Sequence, residues 1–246
     1  MLRTSAFLVL LFVLSSCNAF SWAASVDDSE DYGLLVAEAR AQMSAGNPDK
    51  AVEYFTRALS LRTNDILALD GRLEARLLLI TSGRSVYTAF PSLFITNGSA
   101  DTPLFSCKPA RLAEILTTTL SAVRDVALLD TLLSPTNAVR TARLTADAAM
   151  ATGLAALLTV ADSNTNGIPC ESADTIQPTA AFTVPSTGPA DNQGIVAAAQ
   201  QYTRAARVWF DRLESIALPA MRPGTPLAAF RFNLVRFSGH LAGANP

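Results

Sequence analysis

Six residues in the second half of the chain, Asp162-Ser163-Asn164-Thr165-Asn166-Gly167, carry Asp or Asn at alternate positions and end on glycine. Carboxylate and amide oxygens spaced this way can face one hard cation, and the glycine permits the sharp turn that such a loop needs. The same residues also suit a plain turn closing a helix, because Asp and Asn bond nearby backbone and glycine accepts left-handed geometry. Both readings stand on the residues alone. Three cysteines (Cys17, Cys107, Cys170) and one histidine (His240) are the other reactive groups. One histidine is too few for most zinc sites, and a hydrolytic triad would have to use His240 as its base, beside Ser238 or a distant Asp. A lone histidine near a helix end more commonly meets the helix dipole or solvent. Neither a phosphate-binding glycine pattern nor paired carboxylates stand out, so no catalytic residue is expected and the chain is read as not an enzyme.

The elements that must position these groups read as helical throughout. Half of the 246 residues are hydrophobic and 16% are charged, the composition of a folded chain. The net charge is −2, and the 17 Arg and 2 Lys are scattered, which argues against nucleic acid as a partner. Helices are expected near 32–45, 48–62, 65–82, 109–133, 135–161, 195–218 and 226–242, with a weaker one near 84–94. Pro48, Pro109, Pro135 and Pro226 sit where a first helical turn would start, and Asn47, Ser134 and Thr225 precede three of them as N-caps. Leu112, Ile115, Leu116, Leu120, Val123 and Ala127 keep the three-and-four spacing of one buried helix face, as do Ile195, Ala198, Ala199, Tyr202, Ala205, Ala206, Trp209, Leu213 and Ile216. No alternating run is long enough for a sheet. The stretch 172–194, rich in Pro, Thr, Ser and Gly, reads as a long surface loop. Trp209, Phe210, Phe230, Phe232 and Phe237 are core candidates, with a ligand cavity among the last four helices as the alternative.

The N-terminus reads as a processing signal. Arg3 precedes the apolar run Ala6–Leu14, which is too short to span a bilayer core of about 30 Å. The residues Leu14-Ser15-Ser16-Cys17 that follow resemble a bacterial lipobox. The resemblance implies a signal peptide over 1–16, cleavage before Cys17, diacylglyceryl modification of Cys17 and a polar tether over 17–31. With Asn18 rather than Asp next, it implies an outer-membrane lipoprotein facing the periplasm of the bacterial cell envelope. The alternative is plain secretion with cleavage after Ala23 or Ala24, giving a soluble periplasmic or secreted protein. With Cys17 lipidated, Cys107 and Cys170 are an even pair in an oxidising compartment, and a disulfide between them is expected. It would contribute roughly 4 kcal/mol on the chain-entropy account.

The segment 32–65 resembles a tetratricopeptide repeat. The resemblance rests on Ala39, where a small residue packs on the first helix, on Gly46 at the turn, and on Ala51, Phe55 and Ala58 along the second helix. A fainter copy follows with Leu69, Leu73 and Gly83, giving a hairpin region over 32–94. The sequence departs from the family where Gln42 replaces an aromatic and Thr63 the usual Pro. About three repeats are needed to bury a continuous core, so the helices of 95–246 are expected to extend the stack. The fold class implied is all-α: tetratricopeptide-like hairpins continuing into a helical bundle or solenoid. Such arrays bind proteins or peptides and carry no chemistry of their own.

The loop 162–171 resembles the first half of an EF-hand, with Ile168 as backbone carbonyl donor, yet Ala173 stands where the twelfth-position Glu belongs. Its Cys170-Glu171 ending is closer to the calcium loop of excalibur domains. That resemblance implies Asp162, Asn164, Asn166 and Glu171 as side-chain ligands of one Ca2+, weak (roughly 10⁻⁴ to 10⁻³ M) and structural. The function expected from the whole is that of a non-catalytic, lipid-anchored scaffold for other envelope proteins or peptides. The alternative is an extracytoplasmic module binding a small molecule for a transporter.

Overall fold

The computed structural model describes residues 30–81, 90, 94, 109–133, 138–170, 191–215 and 221–243. Among them the chain is all-helical: α1 (Tyr32–Ser44), α2 (Pro48–Leu61), α3 (Ile66–Thr81), α4 (Pro109–Leu132), α5 (Ala138–Ala161), α6 (Asp191–Ser215) and α7 (Pro226–Gly243). Successive helices pack on one another in chain order, and α3 also touches α1 and α5. That makes α3 the common neighbour of four helices.

Local chemistry sets the boundaries. Asp31 caps α1 by accepting from the Leu34 N–H at 2.8 Å, and Asp65 caps α3 by accepting from the Ala68 N–H at 2.9 Å. The two caps stand 34 residues apart, as do the buried pairs Leu35 and Leu69 and Ala39 and Leu73. Helix α1 ends in a paired bond set, Gly46 N–H to Met43 C=O and Asn47 N–H to Gln42 C=O, which requires the left-handed φ of +78° at Gly46. Asn47 does not act as the expected side-chain cap of α2: its amide donates to Gln42 Oε1 at 3.0 Å instead, and Pro48 alone marks the start. Thr225 does cap α7, although its hydroxyl lies 3.4 Å from the Ala228 N–H.

Helix α2 buries Ala51, Tyr54, Phe55, Ala58 and Leu59, a single apolar stripe. Helix α5 is buried on nearly all sides from Ala148 to Ala161, as an element near the centre of a core must be. Its segment Arg143–Ala161, with mean hydropathy 1.5, is long and apolar enough to cross a membrane, and 78% of it is buried in the fold. Helix α6 begins at Asp191, so the expected loop 172–194 is corrected at its end: Gly194 lies inside a helix. The cost of a helical glycine, roughly 1 kcal/mol, is offset by burial of Ile195, Val196 and Ala199 in the turn that follows. The helix expected near 84–94 falls outside the described residues except at Phe90 and Phe94.

Candidate functional site

The loop after α5 is a run of side-chain-to-backbone turns. Asp162 accepts from the Gly167 N–H at 3.1 and 3.3 Å through its two carboxylate oxygens. Asn164 Oδ1 accepts from the Asn166 N–H at 3.0 Å, and Asn166 Oδ1 from the Ile168 N–H at 2.8 Å. The Cys170 N–H closes the loop onto the Ala161 carbonyl at 2.8 Å. Thr165, Gly167 and Cys170 all take positive φ, at 58°, 86° and 64°. For Thr165 and Cys170 that geometry is uncommon, and it is held here by the dense local bonding. Asp162 and Ser163 are buried, while Thr165, Asn166 and the Ile168 side chain are exposed. Asp162, Asn164 and Asn166 thus each spend part of their oxygen capacity on a backbone N–H. Glu171 lies outside the described residues, as do Cys17 and Cys107. Cys170 is disulfide-bonded.

The residues read as repeat packing lie in the first hairpin. Ala39, Ala51 and Ala58 have no exposed surface, and Phe55 is 1% exposed. The Phe55 ring lies directly against Gly71 of α3, so close that any Cβ there would overlap it. The same device recurs at α5: a Cβ on Gly153 would stand 2.7 Å from the Phe230 ring of α7. Phe230 also stacks on Phe94 at 5.5 Å and meets Phe210 at 6.1 Å. Phe210, Phe230 and Phe237 are fully buried and Trp209 nearly so, whereas Phe232 is 54% exposed and does not join them, a correction to its place among the core candidates. The side chain of His240 lies outside what is described.

Two charged clusters on α3 join residues that the sequence does not connect. In the first, Asp125 of α4 is only 1% exposed and accepts from Arg72 through Nη2 at 2.6 Å and Nε at 3.2 Å, a bidentate pair. Arg76, one turn along α3, bonds the same carboxylate and donates through Nη1 to the Ser121 carbonyl at 2.8 Å. In the second, Arg143 of α5 pairs with Glu74 of α3 and lies 3.7 Å from Asp147. Burial pushes the Asp147 carboxyl up to about 6; Arg143 pulls it back and the Asp70 carboxylate of α3 adds to the rise. Arg72 and Arg76 at a four-residue spacing were a visible signal of one charged face. Their partner, some fifty residues away in an apolar helix, was not.

Among the described residues there is no group of three or more His, Cys, Asp or Glu arranged to hold a metal. Compared with protein-family models, curated proteins and solved structures, the chain matches none of them.

Proposed function

We propose that this chain is a non-catalytic lipoprotein of the bacterial cell envelope that docks other envelope proteins or peptides on stacked helical hairpins. The observation that carries the reading is the 34-residue recurrence: Asp31 and Asp65 cap helices in the same register, and Leu35 and Leu69, Ala39 and Leu73 are buried at equal offsets. Contacts of α3 with α1 and α5, besides its chain neighbours, support a one-directional stack of tetratricopeptide-like hairpins. In such a stack alternate helices line one surface, which suits an extended or helical peptide. Lipidation at Cys17 places the protein at the outer membrane, facing the periplasm. A disulfide between Cys107 and Cys170 then ties the start of α4 to the loop after α5.

In this reading the loop of Asp162, Asn164, Asn166, the Ile168 carbonyl and Glu171 holds one weak structural Ca2+, which would neutralise the two carboxylates and fix the end of α5. The ion supplies rigidity and no chemistry.

The test uses the full chain expressed in a bacterial host. Acylated Cys17 by mass spectrometry, and release of Cys17→Ser from the membrane fraction, are the results expected. Photo-crosslinking residues are then placed at exposed Leu34 of α1 and Leu78 of α3, and at exposed Leu61 of α2 and Leu128 of α4. Discrete protein adducts from one helix layer only support docking. Adducts from both layers alike, or from neither, overturn it, and an unmodified Cys17 overturns the anchor.

A further inference from the structure

Along the seam of α3 and α4 two guanidinium groups stand against one carboxylate, with a third arginine beside it in the chain. Arg72 and Arg76 both hold Asp125, and Arg124 precedes it on α4. The two α3 arginine side chains are only 14% and 15% exposed, so their surplus positive charge is largely removed from water. Burial first, then neighbouring Arg72 and Arg124, hold Arg76 below the ordinary arginine range against the pull of Asp125. Other acids nearby on these helices have their own partners: Glu74 pairs with Arg143, and Asp130 with Arg212 at 3.2 Å.

The donors are also only partly used. A guanidinium has five N–H groups. Arg72 spends Nε and Nη2 on Asp125, and its Nη1 lies 3.4 Å from the Thr56 hydroxyl of α2. Arg76 donates only through Nη1, which leaves Nε and Nη2 without a partner among the described residues, and neither nitrogen is sealed away from solvent. Exposed Arg124 has no hydrogen bond or ion pair among the described residues, and it lies one helical turn from Ser121, whose carbonyl receives Arg76.

We propose that this seam binds an oxyanion, the carboxylate or phosphate group of a small ligand, between Arg76 and Arg124, with Arg72 and Asp125 holding Arg76 in place. The planar fork of each guanidinium matches both groups, and partial dehydration strengthens the attraction. An anion here offsets the repulsion among three like charges and ties α3 to α4. The inference stands apart from the docking reading, because it needs neither the anchor nor a protein partner.

The full chain is titrated with inorganic phosphate and with succinate, each against chloride at matched ionic strength, by calorimetry and thermal melting. Saturable binding in roughly the millimolar range and a raised melting temperature are expected. Arg124→Gln removes no contact among the described residues and relieves repulsion of Arg76, so it should keep or slightly raise the melting temperature of the unliganded protein while weakening binding by about tenfold or more. Arg76→Lys keeps the charge facing Asp125 but loses the fork, and should weaken binding as well. Binding of phosphate alone assigns the site to phosphate groups, of succinate alone to carboxylates, and of both to oxyanions in general. No saturable heat with either anion, a response no greater than with chloride, or unchanged affinity in Arg124→Gln overturns the proposal.

Discussion

Helix α3 meets α2 and α4 by opposite means. Toward α2 the closest approach is apolar: the Phe55 ring fills the space left by Gly71, with only the long 3.4 Å donation from Arg72 to the Thr56 hydroxyl beside it. Toward α4 it is ionic: a carboxylate removed from water is held by two half-hidden guanidiniums. The first contact is fixed by volume, which changes little with pH or salt. The second is fixed by charge balance, so its strength depends on every partner remaining present. A buried ion pair returns little net stability compared with an apolar packing of the same shape, yet breaking it leaves a charge stranded. One helix therefore carries a joint that tolerates solution conditions but not added volume, and another that does not tolerate loss of a charge.

The largest effect should come from stranding that charge. Asp125→Ala leaves Arg72 and Arg76 facing each other and is expected to destabilise the fold by about 3–5 kcal/mol in denaturant unfolding. Replacing all three residues together by Met or Leu should be neutral or stabilising. If the triple variant loses as much as Asp125→Ala, the contrast between the two joints fails.

On the adjoining face, where α3 meets α5, the effect has the opposite sign. Burial holds the Asp147 carboxyl at about 6 in the fold, above the ordinary carboxylate value of 3.8. Between those values the folded state binds more protons than the unfolded state, so stability falls as pH rises through the interval and the full penalty applies above it. Asp147→Asn should flatten this slope and stabilise at pH 7 by about 2 kcal/mol, allowing for water around a side chain that is 23% exposed. A melting temperature for the wild type that climbs steadily from pH 4 to pH 7 would contradict it.

A smaller loss tests the apolar joint. Gly71→Ala forces Phe55 to shift and should cost about 1–2 kcal/mol, overlap outweighing the gain in helix propensity. Phe55→Leu should recover part of that loss in a double-mutant cycle. The smallest expected change is at the caps: Asp31→Ala and Asp65→Ala should each lower stability by about 1 kcal/mol, and by similar amounts if the two helices are equivalent units.

Much of the helical frame was legible because the signals that made it are local. Proline at the start of α2, α4 and α7, the Gly46 turn and the apolar stripe of α2 each act within a few residues. The start of α6 was misread because Gly194 looks like a loop residue, while burial of the three apolar residues after it acts over a longer range. The two charged clusters escaped for the same reason: Arg72 and Asp125 are far apart in the chain, and each alone resembles an ordinary surface charge. Gly71 and Gly153 were equally silent, since a glycine inside a helix declares its purpose only once the ring opposite it is known. At the loop after α5, composition conveyed the turn but could not distinguish cation ligands from a self-bonded loop, because both use the same oxygens.

Helix α5 has a consequence that reaches back before folding. Before it is packed, Arg143–Ala161 has its apolar surface bare, and its length and hydropathy are those of a segment that can lodge in a bilayer. The two charges near its start, Arg143 and Asp147, oppose that outcome, since a charge near the middle of a membrane helix costs roughly 2.5–3.5 kcal/mol and one near the end less. Asp147, a burden to the finished fold, is therefore also the residue that makes its most apolar helix a poorer membrane span.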